Sequence, residues 1–215
     1  MDWGETWHLV NDDFDVYNLT INSADPQQMW AIFYTGYMDW IWGYSQNGGQ
    51  EWAYGGFIEN NWVVNLTVDQ ISQPIRLYAF TDHHFGLYKS VDLGQDRTAI
   101  GEGLYRNQFV FRDRPLVINS HDPTILYVGT SYGTFRSNDE GSHFDLHVQG
   151  MLNTYIFDIA VHPNDPITAY VGSWAGFFKT IDAGNTWHRL LNRGVKKLAI
   201  DPQFPDTIYA TSSSG

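Results

Sequence analysis

The chain has no cysteine among its 215 residues, so disulfides and thiol chemistry are excluded. Lysine and arginine are scarce, with 12 against 24 acidic residues and a net charge of −12. Because an acidic surface repels phosphate groups, we expect no nucleic acid or anionic membrane as a partner. No apolar run approaches the roughly 20 residues of a membrane-spanning helix. The first ten residues lack a basic region and an apolar stretch, so no signal peptide is predicted.

Aromatic residues, by contrast, are abundant. They make up 16% of the chain and include nine tryptophans, within a hydrophobic content of 43%. Such a composition supports a sizeable core, and it favours large rings packed between sheets or exposed for binding.

An eight-residue pattern of a hydroxyl residue, an acid, a glycine and an aromatic recurs along the chain. Its clearest copy is TIDAGNTW at 180–187, and variants are SQNGGQEW at 45–52, SVDLGQDR at 90–97 and SNDEGSHF at 137–144. The opening MDWGETW is a partial copy. The acid or amide positions lie 43 to 47 residues apart and are Asp2, Asn47, Asp92, Asp139 and Asp182. The aromatic positions are Trp7, Trp52, Phe144 and Trp187.

More of the repeat unit surrounds this octet. An Asp-Pro turn precedes a strand with a central aromatic, and a loop and a further strand lead into the octet. The central aromatics are Trp30, Tyr78, Tyr127, Tyr170 and Tyr209. No segment sustains a helical period, and about four short strands in each unit of this length are typical of a β-propeller blade.

On these motifs the chain resembles the Asp-box (BNR-repeat) β-propellers, whose octet reads S/T-x-D-x-G-x-x-W/F. This superfamily includes sialidases, family 74 glycoside hydrolases, sortilin-type receptors and photosystem II assembly factors. The resemblance implies an all-β propeller of five four-stranded blades in one domain, residues 1–215, and an extracellular or periplasmic location. It covers nearly the whole chain, and it is specific for the fold rather than for the function.

The closing blade is expected to combine N- and C-terminal strands and to be incomplete. Neither end of the chain supplies a segment like Phe177–Thr180, the core of the third strand in the preceding unit. The alternatives are a short closing blade, a fragment of a longer propeller, or several chains that complete one another. An unpaired blade edge also favours self-association.

The innermost strand of each blade is expected to line a central channel. Strict alternation in 154–163 places Phe157, Ile159 and Val161 on an apolar face, with Asp158 toward the channel. The positions equivalent to Asp158 are Asn18, Asn65, Pro115 and Lys197. Since Asn18 and Asn65 fall on this strand, their NLT triplets are interpreted as chance matches to the glycosylation pattern.

The repeated acid of the octet is predicted to hold a turn rather than to catalyse. A short carboxylate accepts backbone N–H groups in such a turn, and a catalytic site needs one constellation rather than one per blade. The octets belong to the lower rim, so a ligand is expected at the opposite, upper rim. Rings beside carboxylates suit carbohydrate, although packing between loops is the alternative role. The candidates for ligand binding are Tyr37, Asp39, Trp40, Trp62, Asp82, Tyr132 and Trp174.

The function predicted from these features is a non-catalytic binding or scaffold module for carbohydrate or a protein partner. The alternatives are a glycoside hydrolase, for which Asp39 and Asp82 are the candidate acids, and a photosystem-type assembly factor. No sialidase residue is transferred, because FRDRP at 111–115 differs in spacing and position from the F/Y-R-I-P motif of that family.

Neither a cofactor nor a metal site is predicted. His83 and His84 are adjacent, so in an extended segment they point in opposite directions and do not easily hold one ion. The acidic NDDFD at 11–15 is a candidate for weak Ca²⁺ binding, but it lacks the spacing of an EF-hand loop.

Overall fold

A computed structural model describes residues 15–34, 40–56, 63–81, 86–105, 115–151 and 155–212. Every regular element in these ranges is a β-strand. The same residues contain no helix of the length and apolar character needed to span a membrane.

The strands form five antiparallel sheets that follow one another along the chain. The first contains β1 (Asp15–Ile21), β2 (Met29–Tyr34), β3 (Trp40–Ser45) and β4 (Ala53–Gly56). The second contains β5 (Val63–Asp69), β6 (Arg76–Thr81), β7 (Gly86–Ser90) and β8 (Thr98–Ile100). The third contains β9 (Leu116–Ile118), β10 (Leu126–Gly129), β11 (Thr134–Ser137) and β12 (Asp145–His147). The fourth contains β13 (Ile156–Val161), β14 (Ala169–Ser173), β15 (Gly176–Thr180) and β16 (His188–Leu191), and the fifth contains β17 (Val195–Ile200) and β18 (Ile208–Ser212).

Each four-stranded sheet is a simple meander in which every strand pairs with the strands next to it in sequence. The first strands of successive sheets contact one another in the order β1, β5, β9, β13 and β17. The predicted series of five blades is therefore confirmed, and the first strand of each blade is its innermost strand.

A hydrophobic core fills each of the four junctions between successive sheets. In the second of these, Tyr78 and Phe80 of one sheet pack with Leu126 and Phe144 of the next, all of them buried. The other three junctions are built from equivalent positions. The central aromatics Trp30, Tyr78, Tyr127 and Tyr170 are accordingly buried, each against the following sheet.

Among the residues that the structure describes, the ring of sheets is not closed between the fifth sheet and the first. Tyr209, the central aromatic of the fifth sheet, is 61% exposed although its four equivalents are buried. On the other side of the opening, Leu19 and Ile21 of β1 are exposed, whereas the equivalent Leu66 of β5 is buried in a core. The prediction of an incomplete closing blade is thus confirmed. The N-terminal residues predicted to contribute to it, with Asp2 and Trp7, lie outside the described ranges.

The octets form one repeated turn between the third and fourth strands of a sheet. The hydroxyl of Thr180 donates to Oδ1 of Asp182 at 2.7 Å and accepts the N–H of Gly184 at 2.9 Å. Oδ1 of Asp182 also accepts the N–H of Thr186 at 2.8 Å, and Oδ2 accepts its hydroxyl at 2.5 Å. Ala183 and Gly184 both have positive φ, at 57° and 87°, the backbone of a tight hairpin turn. The same hydroxyl and backbone contacts recur around Asn47, Asp92 and Asp139.

These hydrogen bonds also set the ionisation of the octet carboxylates. Burial by itself raises the pKa of Asp182, but the hydrogen bonds from Thr186 and Thr180 outweigh it and hold the pKa below the ordinary value. The pKa of Asp139 is lowered in the same way against the effect of burial. The pKa of Asp92 is lowered chiefly by the backbone N–H of Asp96. The carboxylates are therefore held ionised by the turn that they close.

Candidate functional site

The meander places two kinds of connection at opposite ends of every sheet. The octets and the turns after the innermost strands lie at one end. The loops between the second and third strands lie at the other end, the upper rim. Any ligand of the upper rim is therefore a whole strand length away from the octet carboxylates.

The upper-rim loops are held by a second hydroxyl contact, which the sequence interpretation did not include. Thr130 donates its hydroxyl to the carbonyl oxygen of Gly133 at 2.9 Å, and Ser173 donates to that of Gly176 at 2.9 Å. Thr130 and Ser173 are buried. The available signal was a Thr or Ser before the loop and a Gly after it, which recurs in four of the five repeat units of the sequence. These contacts fix the short loops that carry Tyr132 and Trp174.

Three of the predicted ligand-binding residues lie within the described ranges. Trp174 is 60% exposed and Tyr132 is 42% exposed, on the loops of neighbouring sheets. Trp40 is partly buried at the start of β3. The other predicted binding residues, two of them the candidate acids of a hydrolase, lie outside the described residues: Tyr37, Asp39, Trp62 and Asp82.

Aromatic contacts connect both tryptophans to the innermost strands. Trp174 contacts Phe157 with ring centroids 5.2 Å apart, and Phe157 contacts Tyr155 at 4.9 Å. Trp40 meets Tyr17 edge to face at 4.5 Å. Each exposed or partly exposed indole therefore rests on a ring that belongs to the wall of the channel.

A central cavity of about 320 Å³ lies between the innermost strands. All five positions that the repeat alignment assigned to the channel line this cavity: Asn18, Asn65, Pro115, Asp158 and Lys197. Tyr17 and Phe157 line it as well. The aromatic contacts of the rim and the polar positions of the channel consequently form one continuous surface at the cavity.

The position of Phe157 differs from the sequence prediction. Strict alternation placed it on the apolar face with Ile159 and Val161, and the core of that junction contains both of these but not Phe157. The pairing of β13 with β14 shifts register between Ile156 and Asp158, which is a β-bulge at Phe157. Since a bulge inserts one unpaired residue, it redirects the side chain relative to strict alternation.

The bulge recurs in the innermost strands, immediately before the channel position. Register shifts occur between Val16 and Asn18, between Val63 and Asn65, and between Val195 and Lys197. The inserted residues are Tyr17, Val64, Phe157 and Lys196. The bulge is thus part of the repeat, and in the first and fourth sheets it contributes an aromatic ring to the cavity.

Hydrogen bonds fix two of the polar channel residues. The carboxylate of Asp158 accepts the N–H of Leu198 at 2.9 Å and that of Ile159 at 3.1 Å. The hydroxyl of Thr67 donates to Oδ1 of Asn65 at 3.2 Å. The cavity therefore presents amide, carboxylate and ammonium groups beside aromatic rings, a combination that binds polar molecules with apolar faces.

The residues considered for metal binding lie largely outside the described part of the chain. Within it no group of three or more histidines, cysteines and acids is close enough to hold an ion. His83, His84 and most of the acidic segment 11–15 lie outside the described residues.

No protein-family model matches the chain, and no curated protein matches it either. Solved structures do match. A GH74 enzyme from Niastella koreensis superposes on 91% of this chain with a TM-score of 0.72 and 18% identity. The extracellular domain of a hybrid two component system from B. thetaiotaomicron superposes on 92% with a TM-score of 0.65 and 13% identity. YCF48 from Cyanidioschyzon merolae superposes on 94% with a TM-score of 0.60 and 13% identity.

The chain has a β-propeller fold. At these identities the superpositions establish the architecture alone. The propeller spans 33% of the GH74 chain, 26% of the extracellular domain and 65% of YCF48. Its ligand has to be argued from its own rim and channel.

Proposed function

We propose that this propeller is a non-catalytic binding module that recognises carbohydrate at its upper rim and channel mouth. The observation that carries the proposal is Trp174, whose indole is 60% exposed on a loop fixed by Ser173 and is supported from below by Phe157. A large exposed ring on a fixed loop offers contact area with little loss of conformational entropy on binding.

Carbohydrate fits the chemistry of the surface. The apolar face of a sugar ring packs on an aromatic side chain, and its hydroxyls pair with amides and carboxylates such as those of Asn65 and Asp158. Those groups face the same cavity as Phe157, the ring that supports Trp174. A protein partner would use the same aromatic surface and is the second candidate. If the partner is a protein, it should bind through Trp174, and sugars should not compete with it for binding.

We also propose membership of the Asp-box superfamily and an extracellular or periplasmic location. The superfamily proposal is supported by the four described octets, which share one set of turn hydrogen bonds. The location is supported by the octet resemblance and by a structural neighbour that is an extracellular domain.

The test is a glycan array followed by titration calorimetry with Trp174→Ala. We expect a roughly five- to thirtyfold weaker affinity for the retained glycan, because stacking on an indole is worth about 1–2 kcal/mol. Phe204→Ala is the matched control, since Phe204 is 69% exposed on the turn between β17 and β18, at the opposite end of its sheet.

Three outcomes decide between the classes. Retention that depends on Trp174 and leaves the glycan intact supports the proposal. Release of reducing ends from the bound glycan contradicts a non-catalytic role, and Asp39→Asn and Asp82→Asn then test the candidate acids. Retention of no glycan at all contradicts carbohydrate recognition.

A further inference from the structure

The octet of the first sheet differs from the other described octets at two adjacent positions. It carries Asn47 in place of the acid, and Gly48 in place of the larger residue that follows the acid elsewhere. The chain contains no other asparagine followed by glycine. An asparagine in this pair is chemically labile, because glycine has no side chain to keep its backbone nitrogen away from the neighbouring amide carbon.

We infer that Asn47 is a site of spontaneous deamidation and that the folded turn restrains the reaction. The backbone nitrogen of Gly48 attacks Cγ of Asn47, the bond between Cγ and Nδ2 breaks, and the proton of the Gly48 N–H leaves with ammonia. The product is a cyclic succinimide, which water then opens to aspartate or to isoaspartate. Water is the sole co-reactant, and the reaction is independent of any ligand of the upper rim.

Hydrogen bonds in the folded turn oppose this reaction. The N–H of Gly48 donates to the carbonyl oxygen of Gln27 at 3.0 Å, whereas the attacking nitrogen has to lose its proton. Oδ1 of Asn47 accepts the hydroxyl of Ser45 at 3.0 Å and the N–H of Glu51 at 2.9 Å. Nδ2 of Asn47 donates to Oε2 of Glu51 at 3.2 Å. The amide therefore turns toward Gly48 only when the turn opens, so the reaction in the folded protein reports that local opening.

Water reaches the site once the turn opens. Asn47 is partly exposed in the folded protein and borders an open pocket together with Glu51 and Trp52. The hydrolysis of the succinimide therefore needs no rearrangement beyond the opening of the turn itself.

The two products have different consequences for the turn. Aspartate restores the acid of the other octets, and an acid four residues later is compatible with it, because Asp92 and Asp96 occupy these two places in the second sheet. Isoaspartate lengthens the backbone by a methylene group, and its free carboxylate no longer sits on a side chain that reaches the N–H of Glu51. We therefore expect aspartate to preserve the first hairpin and isoaspartate to weaken it.

The test is incubation of the 215-residue chain at mildly alkaline pH, folded and in guanidinium chloride, followed by peptide mapping and mass spectrometry. The peptide that contains Asn47 should gain the mass difference between NH₂ and OH. The gain should be at least about tenfold faster in denaturant than in the folded protein, which corresponds to about 1.4 kcal/mol for opening of the turn. The synthetic octapeptide SQNGGQEW in both solutions corrects for any effect of the denaturant on the chemistry.

The repeat itself provides matched controls. Gly48→Ala adds a side chain that hinders the attack and should suppress the mass gain. This variant should still fold, because Ala183 occupies the equivalent position with a φ of 57°. Asn185 is exposed in the octet of the fourth sheet and is followed by Thr186, so it should stay unmodified under the same conditions. Asn47→Asp reproduces the aspartate product and should unfold at no lower a denaturant concentration than the parent chain.

Each result has a defined meaning. Faster mass gain in denaturant that disappears in Gly48→Ala supports the inference. No mass gain in denaturant overturns it, as do equal rates in the folded and denatured chains. Equal rates for Gly48→Ala and the parent chain also overturn it, because the attack would then not proceed through the nitrogen of Gly48. A lower unfolding midpoint for Asn47→Asp would contradict the expected effect of the aspartate product.

Discussion

Replacement of Asp182 by Ala isolates the contribution of one octet to stability. Asp182 accepts the hydroxyl of Thr180, the N–H of Thr186 and the hydroxyl of Thr186. Alanine removes both acceptor oxygens and with them all three hydrogen bonds, although water replaces part of these bonds because the side chain is partly exposed. At about 0.5–1 kcal/mol for each partly solvated hydrogen bond, the free energy of unfolding should fall by about 2 kcal/mol.

The assay is urea and thermal unfolding followed by tryptophan fluorescence. For a chain of this size the predicted loss corresponds to a melting temperature roughly 4–8 °C lower. Affinity for the retained glycan should be unchanged, because the octet lies at the end of the sheet opposite Trp174.

Asp182→Asn is the matched control, and the chain itself contains the same substitution in its first sheet. There Asn47 accepts the hydroxyl of Ser45 at 3.0 Å and the N–H of Glu51 at 2.9 Å. Asparagine should therefore keep the Oδ1 contacts and cost about half as much as alanine. If Asp182→Ala unfolds like the parent chain, or if it is fully folded but does not bind the glycan, the structural role of the octet is refuted.

Two further predictions concern the stability of the protein at acid pH and the space around the backbone of Gly150. The folded-state pKa values of Asp92, Asp139 and Asp182 are lowered, so their contribution is complete above the unfolded value of about 3.9 and is lost as the pH falls through the folded values. The urea concentration at the unfolding midpoint should therefore decrease as the pH is lowered from about 6 to about 2. The decrease should be smaller for Asp182→Asn, which lacks one of these carboxylates, and an equal decrease in both proteins would contradict the prediction. Gly150 has a φ of 81°, and a Cβ there would lie 2.1 Å from the carbonyl oxygen of Trp187. Gly150→Ala should therefore lower the free energy of unfolding, measured in urea, by about 3 kcal/mol. Gly184→Ala should lower it less, because the atom nearest to a Cβ there is a ring atom of Tyr127 at 3.1 Å. Equal losses in the two variants would show that the backbone moves to relieve the close contact at Gly150.

The repeat could be derived from the sequence because its signals are local. The turn of an octet is closed by residues within a few positions of one another, such as Thr180, Asp182 and Thr186. The spacing of these turns therefore predicts the blades without any tertiary information. The channel positions, for example Asn65 and Asp158, followed because equivalent residues of a repeat occupy equivalent places.

The aromatic side of the site could not be derived in this way. A β-bulge arises from the register between two strands, and the residues around Phe157 read as an ordinary alternating strand. The contact of Trp174 with Phe157 depends on that bulge, so the sequence predicted an exposed indole but not the ring beneath it. The hydroxyl contact of Ser173 with Gly176, in contrast, has a local signal in the sequence, the Ser before the loop and the Gly after it.

By itself, the sequence determined the all-β architecture, the unit of four strands, the octet turns and the residues that face the channel, since each of these rests on local hydrogen bonds or on period-two alternation. Only the tertiary structure decided which rings reach the cavity and that Tyr209, unlike its four equivalents, is exposed. Both depend on how strands distant in sequence pair and pack. Tyr209 is the clearest case: its position in the repeat is that of a core residue, and it is exposed because no sheet within the described ranges covers it.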